Sequence, residues 1–401
     1  MSVFDDSEAL IQNRFWKLDM RKNFPETFRT AVFRKKKSGD FIEVTLFLSQ
    51  NWLVKISPNS SMKFSLLDWK MFEPFEEDNG QLRRFGFSVS STQNCKKDFY
   101  VENEETLDAW IMHLSSVCIM TDFENDFSLV KRLGSGSFGT VYLATNNDTC
   151  DMFAVKSIDK HIIIGNQGNL SNLMNEIKFM RKLNHPNIVK LHYVYESTTH
   201  IYLVIDYLEG GDLYGRIMKR KILNEEIAAK FTEKLLNVIS YLNSFNIVHR
   251  DLKLENILMV SEDDDCNFKL ADFGLATEVT GALQLRCGSP GYTAPEILRK
   301  CSYGLKVDIF SAGVILYILL CGRMPFWGRT NQEILQKNRD CKISFMDEPK
   351  QNISKFGCAF ILRLTEPLPK LRPSAIDALN DPWFKSLSSP SLSQHCFDQR
   401  S

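Results

Sequence analysis

Residues 247–258 read IVHRDLKLENIL, and within them His249, Arg250, Asp251, Lys253 and Asn256 fall in the order H-R-D-x-K-x-x-N between two apolar pairs. A carboxylate at Asp251 can accept the proton of an attacking hydroxyl and orient it. Lys253, two residues on, can neutralise charge on a group in transit, and Asn256 offers a carbonyl oxygen to a hard cation. Further on, ADFG supplies Asp272 as a second oxygen ligand, flanked by Phe273 and Gly274. His249 reads as structural, packing beneath Phe273 rather than serving as a base.

Moving downstream, TAPE at 293–296 places Glu296 where an internal carboxylate needs a counter-charge, because a buried lone charge is costly. Arg372, in KLRPSA, is the expected partner. Asp308 opens the apolar stretch KVDIFSAGVILY and is expected to hold the backbone around His249 and Arg250.

Upstream, LGSGSFGTVYLA sets Gly134, Gly136 and Gly139 in a G-x-G-x-x-G-x-V pattern. Glycines let a backbone approach phosphate oxygens, and Phe138 can cap such a loop. A dinucleotide-binding turn would need a helix after the glycines, but β-branched TVYLA follows, so that alternative fails. Lys156, in FAVK, is placed to hold phosphates if a carboxylate orients it, and Glu176 in the helical stretch MNEIKFMRKL is the natural partner. A strand lysine alone is usually a solvated cation; its spacing from the glycines reverses that.

With these motifs present and ordered, residues 127–384 resemble a eukaryotic protein kinase domain. The resemblance implies an α+β, bilobal fold with a five-stranded N-lobe and a mainly helical C-lobe, with ATP and Mg²⁺ as cofactors. It implies an ATP site built from Leu133, Gly134, Gly136, Ser137, Phe138 and Gly139, with Val141, Ala154 and Leu258 around the adenine. Asp206 to Leu208 would form the hinge behind Ile205, and Met180, Leu191, Phe273 and His249 a stacked spine. Asp251, Lys253, Lys156 and Glu176 are then catalytic, and Asn256 and Asp272 hold metal.

HRDLKLEN resembles serine/threonine kinases, and CGSPGYTAPE with HPNIV resembles the calcium/calmodulin-dependent group. Ser289 stands where that group usually has Thr, and its hydroxyl can reach Asp251 and Lys253. A neighbouring family, protein kinase B, carries Glu at the Gly291 position and an F-x-x-F tail that is not seen here. No basic amphipathic helix follows Trp383 and SEDDDC is not an EF-hand loop, so no calmodulin site is expected. Asp212 and Glu255 sit where relatives attract basic residues upstream of the target, so substrates are proteins with Ser or Thr after Arg or Lys. The position that relatives phosphorylate opposite Arg250 falls at Leu285, so activity is expected not to depend on activation-loop phosphorylation. The alternatives are a pseudokinase scaffold or a lipid-binding adaptor. Both are weakened because Lys156, Asp251, Asn256 and Asp272 are all intact.

Ahead of this domain, short alternating runs from Thr27 to Ser91 (TAVFRKKK, EVTLFLS, WLVKIS, RRFGFSVS) read as antiparallel strands. KKDFYVE adds one more, and Leu107, Trp110, Ile111 and Leu114 then form one helical stripe. That order, a small β-barrel capped by a helix, resembles a pleckstrin-homology domain. The resemblance implies a lipid-binding role for Arg34, Lys35, Lys36 and Lys37, either at phosphoinositide or at an anionic membrane surface, although Glu43 stands where phosphoinositide binders often have a cation. The organisation expected is an N-terminal extension (1–26), this domain (27–118), a polar linker (119–126), the kinase-like domain (127–384) and a disordered tail (385–401). The short linker keeps the small domain near the N-lobe, so the expected roles of that domain are membrane or partner targeting and regulation of the kinase-like domain in cis.

Lys and Arg total 49 and so do Asp and Glu, so no global field points to nucleic acid or membrane and any electrostatic targeting must come from a local patch. The 10 cysteines show no CxxC pair. The N-terminus lacks a secretory pattern, Ser2 excludes myristoylation, and the longest apolar run is half a membrane span. The expected location is the cytoplasm, peripheral at membrane if the basic cluster engages lipid.

Overall fold

The structure is a computed structural model that describes residues 16–17, 28–36, 38–49, 52–57, 60–66, 69–78, 83–91, 95–136, 139–164, 166–345 and 353–387. They fall into two compact units, one from residues 1–173 and 190–207, the other from 174–189 and 208–401.

The first unit is built on strands β1 (Trp16–Lys17), β2 (Phe28–Lys35), β3 (Phe41–Ser49), β4 (Trp52–Ser57), β5 (Ser60–Ser65), β6 (Lys70–Asp78), β7 (Arg83–Ser91) and β8 (Cys95–Val101), then helix α1 (Glu104–Ser115). Strands β2 to β5 pair antiparallel in sequence order, as do β6 to β8, and among the described residues the pairing of Phe33 with Tyr100 joins the two sets. Alternation drives this: Val44, Leu46 and Leu48 point to one core with Val32, Phe87, Val89 and Phe99. Asn103 caps α1 by accepting from the Thr106 backbone N–H. The expected stripe is buried: Leu107, Trp110 and Leu114 are in the core with Ile111 partly buried beside them. Trp110 stacks on Phe87, meets Phe28 edge-on, and donates its indole N–H to Thr30 Oγ1 at 2.8 Å.

Next come β9 (Ile119–Met120), α2 (Phe123–Asp126), β10 (Phe127–Gly136), β11 (Gly139–Asn146), β12 (Met152–Asp159), α3 (Lys160–Ile164), β13 (Leu191–Glu196) and β14 (His200–Asp206). The five strands expected in the N-lobe are present, in the order β13-β14-β12-β11-β10. Residues 119–126, expected as a polar linker, are instead ordered elements. Strand β9 pairs in parallel with both β6 and β13, making one continuous 14-stranded sheet. Phe123 is the physical reason, since it is buried by stacking on Tyr202 and Phe127 and meeting Tyr195 edge-on. At the same seam Glu196 is buried and takes Lys70 at 2.7 Å and Lys160 at 2.8 Å.

The second unit carries the rest of α4 (Gln167–Lys182), whose first residues belong to the first unit. It continues with α5 (Leu213–Arg220), α6 (Glu225–Ser244), β15 (Ile247–Val248), β16 (Ile257–Met259), β17 (Phe268–Leu270), β18 (Thr277–Glu278) and α7 (Pro295–Leu298). After these come α8 (Val307–Cys321), α9 (Asn331–Asp340), α10 (Lys355–Leu364), α11 (Ala375–Leu379) and α12 (Pro382–Leu387). Every residue of α8 is buried, as its unbroken apolar run demands, and Gly322 ends it at φ 68°, where a side chain would meet Lys221 O. Helix α12 continues through Leu387, past the 384 boundary, so residues 385–387 are helical rather than part of a disordered tail. Among the described residues no helix is long and apolar enough to cross a membrane.

Candidate active site

In the first unit, β10 and β11 form the hairpin that bears the glycines, with Gly136 paired to Gly139 at its tip. Ser137 and Phe138 lie outside the described residues. The glycines do different work. Gly134 faces open space, whereas a Cβ on Gly139 would come within 2.2 Å of Ser157 O, so that position is needed for the hairpin to lie on β12. Leu133 is exposed and Ala154 buried, with Val141 half-buried between them in the sheet. Lys156, paired across β12 with Val141 on one side and Leu203 on the other, is only 8% exposed. Asp206 turns its carboxylate back into its own unit, accepting from the Lys190 N–H at 3.0 Å and meeting His192 Nε2 at 2.8 Å. Its side chain is therefore structural.

In the second unit the loop after β15 gathers four of the expected residues. Lys253 Nζ donates to Asp251 Oδ2 at 2.8 Å and to Ser289 Oγ at 3.0 Å, and Ser289 Oγ donates to Asp251 Oδ1 at 2.7 Å. Asn256 Nδ2 donates to the Asp251 carbonyl at 2.9 Å and to its carboxylate at 3.2 Å, which leaves Asn256 Oδ1 as an acceptor. Burial pushes the Asp251 carboxyl up, but Lys253 and the Ser289 hydroxyl outweigh it and hold the pKa below the ordinary aspartate value. Asp272 follows β17 in left-handed backbone at φ 63°, tied to this loop by the Ala271 N–H on Asn256 O. Leu258, on β16, is half-buried and bridges to Asp212, while Leu208 is half-buried in the strand-free stretch before α5. Glu176 is buried on α4.

The supports behind this loop match their expected partners. Asp308 is fully buried at the start of α8 and accepts from the His249 N–H at 2.7 Å and the Arg250 N–H at 3.0 Å. His249 donates from Nε2 to Ala271 O at 3.1 Å and lies edge-on to Phe273, which removes it from proton transfer. Glu296 and Arg372 form a buried two-point pair at 2.8 and 3.0 Å.

Glu255 is exposed, near enough to Tyr292 to act on its phenol, while Asp212 spends Oδ1 on the N-cap of α5 at 2.7 Å from Gly215 N. In the basic cluster, Lys35 is neutralised by Glu77, Arg34 and Lys36 are described, and Lys37 lies outside the described residues. Sequence reading missed Lys55. It is 8% exposed on β4, and burial first, then Arg34 and Lys97, lower its pKa, so three cations converge there. It also missed Tyr303, whose hydroxyl accepts from Arg250 Nη1 at 3.2 Å. Neither position stands out in a motif; only the register of the strands and the path of the chain bring them in.

The donor set fits Mg²⁺. Asn256 Oδ1 and the Asp272 carboxylate are hard oxygens, and among the described residues no cluster of three His, Cys, Asp or Glu could hold a metal by itself. Two protein oxygens are what Mg²⁺ takes when waters and phosphate complete its shell.

Residues 127–384 match the protein kinase domain model. The chain is 38% identical over 295 residues to a protein described as probable serine/threonine-protein kinase 2 of Plasmodium falciparum, covering 73% of this chain and 57% of that one. It is also 38% identical to myosin light chain kinase A of Dictyostelium discoideum, over 67% of this chain and 92% of that one. Against calcium/calmodulin-dependent protein kinase type 1 of Caenorhabditis elegans the identity is 38%, over 63% of this chain and 72% of that one. With its catalytic-loop residues intact and this match across most of its length, the chain belongs to the protein kinase family and is a serine/threonine protein kinase.

Proposed function

We propose that the chain transfers the γ-phosphoryl of ATP to Ser or Thr hydroxyls that follow basic residues in protein substrates. The observation that carries this is the Asp251 carboxylate, kept ionised by Lys253 and Ser289. It can accept a hydroxyl proton and aim the oxygen, while Lys253 neutralises charge on the moving group. Bound at Asn256 and Asp272, Mg²⁺ would supply further neutralisation of phosphate charge. Lys156 would hold phosphate oxygens, with Glu176 as its orienting carboxylate. Exposed Glu255 and the remaining oxygen of Asp212 favour Arg or Lys about three residues before the target.

The strands and helix of residues 27–118 support a pleckstrin-homology-like module, and Arg34, Lys36, Lys55 and Lys97 support anion binding there. Of the anionic ligands, a phosphoinositide surface fits a cation cluster at the rim of such a module.

The test is the purified chain with labelled ATP, Mg²⁺ and an Arg-x-x-Ser peptide. Transfer should fall about 10³-fold in Asp251→Asn, and about tenfold when the peptide Arg becomes Ala. Vesicles containing phosphoinositide should sediment the chain, and Lys55→Ala should weaken that. Absence of transfer from the unaltered chain would overturn the enzyme assignment in favour of a scaffold.

A further inference from the structure

Arg250, next to the catalytic aspartate, sits in left-handed backbone at φ 69° with its guanidinium turned into the segment that follows Asp272. Its Nε donates to Leu275 O at 2.6 Å and its Nη1 to the Tyr303 hydroxyl at 3.2 Å. Tyr303 in turn donates that hydroxyl proton to Leu285 O at 2.6 Å. The same tyrosine exchanges two backbone hydrogen bonds with Leu283, at 3.0 and 3.1 Å. Burial raises the phenol pKa, so the group stays protonated and able to donate at neutral pH.

From Leu283 to Ser289 the chain is therefore fixed at successive points. Leu283 is bridged, the Leu285 carbonyl is tied to Arg250 through Tyr303, and Gly288 at φ 101° packs where a side chain would meet Arg250 O. Ser289 then reaches Asp251 and Lys253. Ahead of this stretch, Glu278 pairs with Lys182 at 2.8 Å and Lys178 at 3.7 Å.

We propose that Tyr303 is a positioning residue for phosphoryl transfer. Its neutral hydroxyl joins Arg250 to the Leu285 carbonyl and sets the 283–289 segment, and with it Ser289, without a charged modification. The proposal rests on the kinase assignment. At position 285 stands a leucine that is 62% exposed and whose side chain carries no acceptor, so the backbone carbonyl takes the place of a charged side-chain acceptor, with the phenol as the link.

The experiment uses the full chain, an Arg-x-x-Ser peptide and three proteins: unaltered, Tyr303→Phe, and Tyr303→Phe with Leu285→Glu. Tyr303→Phe should lower kcat/KM for the peptide about tenfold, the loss of one charge-linked hydrogen bond, while KM for ATP stays within about twofold. The added glutamate should recover at least about threefold by giving Arg250 a carboxylate, a rescue that a role in packing alone does not provide. Phosphatase treatment should leave the unaltered chain active. Three results would overturn the proposal: Tyr303→Phe matching the unaltered chain, an equal rise in both KM values, or phosphatase abolishing activity. The phosphatase result stands even if Tyr303→Phe fails to fold. An unaltered chain with no transfer at all would instead overturn the kinase assignment, so the two failures are distinct.

Discussion

Asp251 is the residue proposed to accept the hydroxyl proton, and its environment is a contest between burial and hydrogen bonding. Burial alone would push its carboxyl up, and Lys253 with Ser289 reverses that and holds it below the ordinary aspartate value. A carboxyl depressed in the folded state contributes stability above its unfolded pKa, and loses that contribution as pH falls through the lower folded value. The acid limb of the pH dependence of kcat/KM should therefore lie below the ordinary aspartate range. Ser289→Ala removes one donor, so the limb should move to higher pH and kcat should fall about tenfold. Ser289→Thr, which keeps the hydroxyl, should restore both. A limb that stays put in Ser289→Ala would show that the hydroxyl does not tune the carboxylate. Much of this cluster was legible because each member carries its own chemistry within a short stretch or a fixed spacing. Lys55 was not, because its neighbours Arg34 and Lys97 reach it only across three strands.

At the level of elements, legibility followed length and periodicity. The unbroken run of α8 and the i, i+3, i+7 stripe of α1 each admit one burial pattern, and both are observed. Residues 121–126 misled because TDFEND is five polar residues around one phenylalanine, and composition outvotes a single ring until its aromatic partners are known. The pair Glu296–Arg372 could be expected from charge alone, but what it joins is an element property. It ties α7 to the turn before α11, where Arg372 also donates to Glu366 O and Lys306 O. A buried pair need not stabilise more than apolar packing, but breaking one side is severe, because the other charge stays behind. Arg372→Met should therefore cost about 3–5 kcal/mol in urea unfolding, and adding Glu296→Gln should recover part of that loss. If the double variant were as unstable as the sum of the singles, the two side chains would not be coupled.

On the scale of the molecule, β9 makes the N-terminal module part of the same sheet as the kinase N-lobe strands. Ile119 is fully buried, bonded to Trp69 O on one side and in register with Val194 on the other. Beside it, Glu196 lies in a site 5% exposed and is reached by both Lys160, from the N-lobe, and Lys70, from the module, as a buried carboxylate requires of its surroundings. A tethered targeting domain would melt by itself and leave the N-lobe unchanged. A shared sheet with a shared buried carboxylate should not. Calorimetry of the full chain should show the module and the N-lobe strands unfolding in one transition, and Lys70→Met should lower that transition as a whole, by several degrees. Hydrogen exchange gives the local measure: amides of β13, such as Val194 and Tyr195, should lose protection in Lys70→Met along with those of β6. A 121–401 fragment exposes the β13 edge and strips Glu196 of one cation, so its N-lobe should be less stable than in the full chain, and loss of activity in it would report folding before regulation. A fragment that melts at the full chain's temperature, with β13 protection intact, would instead mark the module as a separable attachment.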